Sequence, residues 1–221
     1  SAASFITDFG IGLFSVSFIS FFFIKDDGLF TAIVKALVPD RHEKEAEKAI
    51  VRKGLIQALD ACKDNPNKAF LLTLLRMCGE AEDAPVFVKY LNDEYLAEWA
   101  ISGLTSIKGT EEVLLDLMKK EAAPKAILAH AAGLKKLASA ESILLAWLKG
   151  ADVPTARAIY QSLAQCGTSL SIPVLGKAAK NVAYEWEASD ATAAYLRLLQ
   201  KLVGEGRGKD ASAAAKALLK A

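Results

Sequence analysis

The sequence predicts an all-α fold built as a stack of short helical repeats, a solenoid. Three observations carry this. An apolar hexamer recurs four times, as VFVKYL (86–91), VLLDLM (113–118), ILLAWL (143–148) and, more loosely, VLGKAA (174–179), with starts 27, 30 and 31 residues apart. A second helical block follows each of the first three hexamers. From about residue 43 onward alanine, leucine and lysine dominate and prolines are few, a composition that favours helix.

The run FGIGLFSVSFISFFFI (9–24) carries no charge and counts 16 residues, short of the roughly 20 that a bilayer span needs. No basic start and no small-residue cleavage site accompany it, as a signal peptide would require. Eight of the ten phenylalanines lie in the first thirty residues, as if this stretch had a separate origin. Its apolar spacing suits a strand or a helix equally. The reading is a segment 1–40 that caps the stack, with membrane association left open. Within it, Leu29, Phe30, Ile33, Val34 and Leu37 form one helical stripe that Pro39 ends. Ser1 in place of methionine and an amphipathic KDASAAAKALLKA at the end lead us to expect a fragment of a longer chain.

The repeat domain is expected over 41–221. Blocks 43–63 and 67–78 are helical and part at the DNP triplet. Each hexamer is introduced by a small or capping run: GEAEDAP, KGTEE, ASAES or GTSLSIP. Gly79, Gly109 and Gly167 suit turns where positive φ is needed. Thr110 and Thr168 can cap the next helix through their hydroxyls. Blocks 94–107, 124–137 and 153–166 align without gaps. Leu104, Leu134 and Leu163 then coincide, as do Ile107, Leu137 and Cys166. Gly103, Gly133 and Ser162 also coincide, small enough to let neighbouring helices approach closely. Block 191–204 follows the last hexamer. One such pair cannot bury its apolar face alone, so stacked pairs must share a core.

Over about 43–221 this pattern resembles HEAT-type repeats, in the short variety of about thirty residues found in bacterial HEAT-like and bilin-lyase-type proteins. The resemblance implies a right-handed α-α superhelix of armadillo-like architecture, with the second helices lining a concave side. DAPVFVKYLNDEYL and GRGKDASAAAKALLKA also look like the HEAT-like segment that precedes a 3-keto-disaccharide hydrolase domain in some secreted bacterial proteins. That likeness implies a bacterial multidomain parent and a periplasmic or otherwise extracytoplasmic setting. No catalytic residue carries it.

Charges nearly cancel, 27 Lys+Arg against 26 Asp+Glu, so a phosphate-binding face of the kind nucleic acid needs is not expected. Cys62, Cys78 and Cys166 are odd in number, form no C-x-x-C pair and fall at apolar positions, where thiols pack as small hydrophobes. His130 aligns with Ala100 and Ile159, a packing position, and His42 lies in a solvated helix start. Neither has a second ligand at metal spacing. There is no G-x-S-x-G, and the glycines of GEGRGKD (204–210) follow no strand. Glu111, Glu112, Asp93 and Glu94 stand at helix starts, where the helix dipole favours carboxylates. Catalytic, cofactor and metal residues are therefore expected to be none. Of the aromatics, Tyr90 and Trp147 occupy a core position of the hexamer. Trp186, in an insertion that breaks the repeat, is the candidate exposed aromatic.

One collective surface stands out. Tyr95, Glu98 and Ser102 align with Lys125, Leu128 and Ala132, then with Pro154, Arg157 and Gln161, and Lys135 and Lys136 extend the set. Tyr95, Glu98, Ser102, Lys125, Lys135, Lys136, Arg157 and Gln161 form the candidate partner groove. The expected function is a non-catalytic scaffold or interaction module, whose partner is a protein or a neighbouring domain of the same chain. The alternatives are a segment that contributes to a carbohydrate-active enzyme, or a nucleic-acid-binding or lyase enzyme on the same fold.

Overall fold

A computed structural model describes residues 45–218, and they contain helices and turns with no strand. The apolar segment 1–40, its helical stripe and His42 lie outside the described residues. Among the described residues no helix is long and apolar enough to cross a membrane. The chain divides into two units, 1–63 and 64–221, with the division at the DNP triplet. Of the first unit, α1 (Glu45–Ala61) is described, and Val51, Leu55, Leu59 and the following Cys62 are buried along one side.

The second unit opens with α2 (Asn65–Cys78). Asp64 caps it by accepting the Asn67 N–H at 3.0 Å, and Pro66 sits in the first turn, where a missing N–H costs nothing. Pairs then follow: α3 (Ala84–Val88) and α4 (Ala97–Ser106), α5 (Glu111–Lys120) and α6 (Lys125–Leu134), α7 (Glu141–Trp147) and α8 (Val153–Cys166), α9 (Ile172–Asn181) and α10 (Ala191–Gly204). Helix α11 (Gly208–Leu218) ends the described chain. Each leading helix packs on the following helix of its own pair, and α2, α4, α6, α8 and α10 pack on one another in chain order.

The hexamers supply the core between these helices. Their second position, Phe87, Leu114, Leu144 and Leu175, is at most 1 % exposed in every copy, while the first is half-buried or exposed. Full burial of such a side chain stabilises by about 1.5–3 kcal/mol, so this one position fastens all four pairs. Trp147, at the fifth position, is buried as expected, and Tyr90 is half-buried. Small residues do allow close approach: a Cβ on Gly103 would overlap the Phe87 ring, and one on Gly133 would lie 2.9 Å from Ser162 Cα.

Two turn assignments need correction. Gly79 and Gly167 have φ of −71° and −65°, so neither needs glycine for its dihedral; only Gly109, at +80°, does. What they need is room, because a Cβ on Gly79 would meet Leu75 O at 2.6 Å and one on Gly167 would overlap Leu163 O. The Thr110 hydroxyl does not cap α5 but donates backwards to Leu104 O (2.5 Å) and Ile107 O (3.0 Å), closing the end of α4. Thr168 does cap the turn that leads into α9, accepting the Leu170 N–H at 3.3 Å.

The register of α6 is also shifted. Ala100, Ile101, Gly103 and Leu104 are buried on α4; on α6 the same spacing of buried residues is Leu128, Ala129, Ala131 and Ala132. The bodies of the two helices therefore correspond two residues earlier than the sequence alignment has them. The turn after α6 absorbs the difference. Leu137 N–H bonds Ala132 O (2.9 Å), Lys136 N–H bonds Gly133 O (2.9 Å), and Lys136 adopts a left-handed φ of 52°. In consequence Leu134 is 49 % exposed and His130 is exposed, although both were aligned with core positions.

The same helix-ending motif closes α9, with Ala183 left-handed at φ 52°. An L-residue there carries a steric cost that glycine avoids. Ala183→Gly is expected to raise stability by about 0.5–1 kcal/mol, read as a higher urea midpoint at unchanged slope.

Candidate functional site

Helices α4, α6 and α8 each pack against two neighbouring following helices and one leading helix. Among the described residues, one side of each has no helix packed on it beyond weak contacts. The exposed and half-buried mid-helix residues mark it: Trp99 (exposed) and Ser102 (half-buried) on α4, Ile127 (half-buried) and His130 (exposed) on α6, Arg157 (exposed) and Gln161 (half-buried) on α8. On α10 the open positions are Leu196, Arg197 and Gln200.

Five of the eight groove residues are placed on or beside this free side. Tyr95, Glu98 and Ser102 follow one another at helical spacing, and Trp99 joins them. Tyr95 is 45 % and Trp99 37 % exposed; their rings stack with centroids 5.4 Å apart and planes 10° from parallel. Asp93 fixes the turn beneath, its Oδ1 accepting the N–H groups of Tyr95 and Leu96 at 2.9 Å each. Ser102 Oγ accepts from Arg76 of α2 at 2.7 Å. Arg157 is exposed, and Gln161 donates to Asp190 Oδ2 at 3.1 Å.

The three lysines stand elsewhere. Lys125 pairs with Glu121 (3.0 Å) and lies over the Trp147 ring, 5.5 Å from its centroid. Trp147 Nε1 donates to the same carboxylate at 3.1 Å. These groups border a depression of about 460 Å³ on the leading-helix side, between α5 and α7. Leu128 and Ala132, aligned with Glu98 and Ser102, are core residues because of the α6 register shift. Lys136 is exposed in its left-handed turn.

Lys135 is the clearest correction, since its side chain is only 9 % exposed. Its ammonium donates to Ile107 O (2.5 Å) and to Glu111 Oε1 (3.0 Å), so a lysine of one pair closes the C-terminus of the following helix before it. That end of a helix carries partial negative charge and unpaired carbonyls. The Glu111 carboxyl is held below its ordinary range by its own backbone N–H and then by Lys135. Lys201 repeats the device two pairs later, donating to Gly167 O at 2.9 Å. Lys135→Met, which keeps the buried stem and deletes the charge, is expected to lower stability by about 1–3 kcal/mol. The exposed Lys136→Met serves as control, expected within about 0.5 kcal/mol, both read by chemical unfolding.

Glu141 escaped sequence reasoning altogether. It opens α7 and is buried, accepting from Thr168 N (2.7 Å), Thr168 Oγ1 (2.8 Å) and Ser171 Oγ (2.5 Å). The only signal in the sequence is a glutamate in the first turn of a helix, and that describes Glu111 and Glu112 equally well.

Trp186 is 83 % exposed. Its loop is ordered by Glu187, which accepts from Ser189 N and Oγ (2.6 Å each) and Ala191 N (3.0 Å). The Ser189 hydroxyl is the main cause holding the Glu187 carboxyl low. Cys62 and Cys166 are buried, and burial pushes the Cys166 thiol up, away from its reactive thiolate form. Among the described residues no group of three or more His, Cys, Asp or Glu could hold a metal ion. In comparison with known proteins, no family model, no curated protein and no solved structure matches the chain.

Proposed function

We propose that residues 64–218 form a HEAT-like solenoid, a right-handed α-α superhelix, that works as a non-catalytic interaction module within a larger protein. One observation carries the reading: successive following helices leave a free side that mixes aromatic, aliphatic and charged residues. Tyr95, Trp99, Leu134, Arg157 and Leu196 are all open along it. Core-type residues at exposed positions, rimmed by charge, are the composition of an interface. The joints between pairs are pinned by Lys135, Glu141 and Lys201, and a stiff stack presents such a face with little ordering cost. The partner is a protein or a neighbouring domain of the same chain, and no cofactor, metal or nucleic acid enters the scheme.

The test compares added negative charge on the two sides. His130→Glu with Arg157→Glu, both exposed on the free side, should weaken binding of the partner recovered by pull-down, through lost steering and new repulsion. Lys119→Glu with Lys149→Glu, on the rim of the leading-helix depression, should leave it unchanged. Circular dichroism controls for folding. The reverse pattern, or turnover of a substrate by the isolated chain, would overturn the reading.

A further inference from the structure

The free side is not uniform, and its α4 end has a distinct chemistry. Between Lys89 and Lys108 the chain carries Asp93, Glu94 and Glu98 and no cation. Asp93 is occupied by backbone N–H groups. Glu94 and Glu98 are exposed, and no salt bridge engages them among the described residues. They flank the stacked Tyr95 and Trp99 in sequence, Glu94 beside Tyr95 and Glu98 beside Trp99. The guanidinium of Arg76 is spent on Ser102, one turn farther along the helix.

Two parallel exposed rings bordered by unpaired carboxylates suit one kind of group best. The N-terminus of α4 contributes only about half a positive charge, which three carboxylates outweigh. The local field therefore favours a cation. An aromatic face attracts a cation through its quadrupole. A guanidinium is planar, so it can stack on the ring while its edge N–H groups reach a carboxylate in bidentate fashion. An ammonium offers the charge without the plane.

We propose that Tyr95, Trp99, Glu94 and Glu98 form a docking point for an arginine-bearing segment of a partner protein. This rests on the interaction-module reading and names the chemistry that one part of the free side selects. Arginine stacks on Tyr95 or Trp99, and Glu94 and Glu98 take its N–H groups. The pair is prepared for this: the rings already stack on each other, and Asp93 sets the backbone under Tyr95, so little side-chain freedom is lost on binding.

The experiment follows the indole N–H signals of the full chain by NMR during titration with a blocked peptide, acetyl-Gly-Arg-Gly-Arg-Gly-amide. The chain has three tryptophans, and Trp186→Phe and Trp99→Phe assign their signals. The expected result is a saturable shift of the Trp99 signal, with Trp186 and Trp147 still. Glu94→Gln combined with Glu98→Gln should weaken binding roughly tenfold, and the lysine counterpart of the peptide should bind more weakly than the arginine one. Both glutamates are exposed, so the variant keeps its fold. Four results would overturn the proposal: no saturable shift at millimolar peptide, equal affinity in the double glutamine variant, an equal shift at Trp186, or a Trp99 shift with cellotetraose and none with the peptide. Each of these leaves the wider interaction-module reading standing, because that reading is tested at His130 and Arg157.

Discussion

Glu141→Ala is expected to destabilise the unit 64–221 by about 3 kcal/mol. The carboxylate is buried at the start of α7 and receives three hydrogen bonds from Thr168 and Ser171, residues of the turn that leads into α9. It therefore ties one helix pair to the next. Removing it leaves a backbone N–H and two hydroxyls without their acceptor, in a joint where Ser171 is buried and Thr168 half-buried, and each orphaned buried donor costs about 1–3 kcal/mol. The first turn of α7 adds a further favourable term, since a carboxylate there meets the positive end of the helix. Glu141→Gln keeps the shape and one acceptor oxygen, so its loss should be intermediate, about 1–2 kcal/mol. Urea unfolding measures both. Glu112→Ala, at an exposed first-turn position of α5, is the reference. If Glu141→Ala shifts the midpoint no more than Glu112→Ala does, the joint contributes nothing.

The second large effect is expected in the hexamer core. Leu144→Ala or Leu114→Ala should cost about 2–4 kcal/mol, the lost transfer energy of the side chain plus the cavity it leaves. Both residues are at most 1 % exposed. The neighbouring Ile143→Ala supplies the contrast: Ile143 holds the first hexamer position and is only half-buried, so its loss should be about 1 kcal/mol. The difference within one helix tests the assignment of the second position as the shared core contact. Equal thermal midpoints for Leu144→Ala and the parent would remove Leu144 from the core.

Much of this core was legible in the sequence because it is local and periodic. The four hexamers mark their own buried positions, and the helical blocks announce themselves by apolar spacing, down to the DNP start of α2. Side chains that act across pairs were not legible. Lys135 reads as one more surface lysine, yet it closes the end of α4 from 28 residues away. Glu141 reads as a helix-start carboxylate, yet its partners lie 27 and 30 residues on. No local pattern distinguishes such a residue from a solvated one. The α6 register failed for a related reason. A gap-free alignment assumes that successive helices end alike, and Lys136 spends its left-handed turn on two residues that the other copies do not have in that place.

That shift also accounts for the fate of the groove. On α4 and α8 the aligned positions Glu98 and Arg157 are exposed and Ser102 and Gln161 half-buried, whereas on α6 they fall on Leu128 and Ala132 in the core. The exposed positions there are His130 and Leu134. The centre of that side thus carries His130 and Leu134, with Ile127 half-buried beside them, and none of the three lysines that the sequence places there.

The most direct test of the central claim is site-directed photo-crosslinking of the protein in its native host. A photoreactive residue is placed in turn at Ser102, His130 and Arg157 on the free side, and at Asp116, Ser142 and Lys177 on the leading helices. The account predicts the same discrete adducts from the three free-side positions, fading when Trp99→Ala or Arg157→Glu is added, and none from the leading helices. Adducts confined to the leading helices, or none from either side, would contradict it.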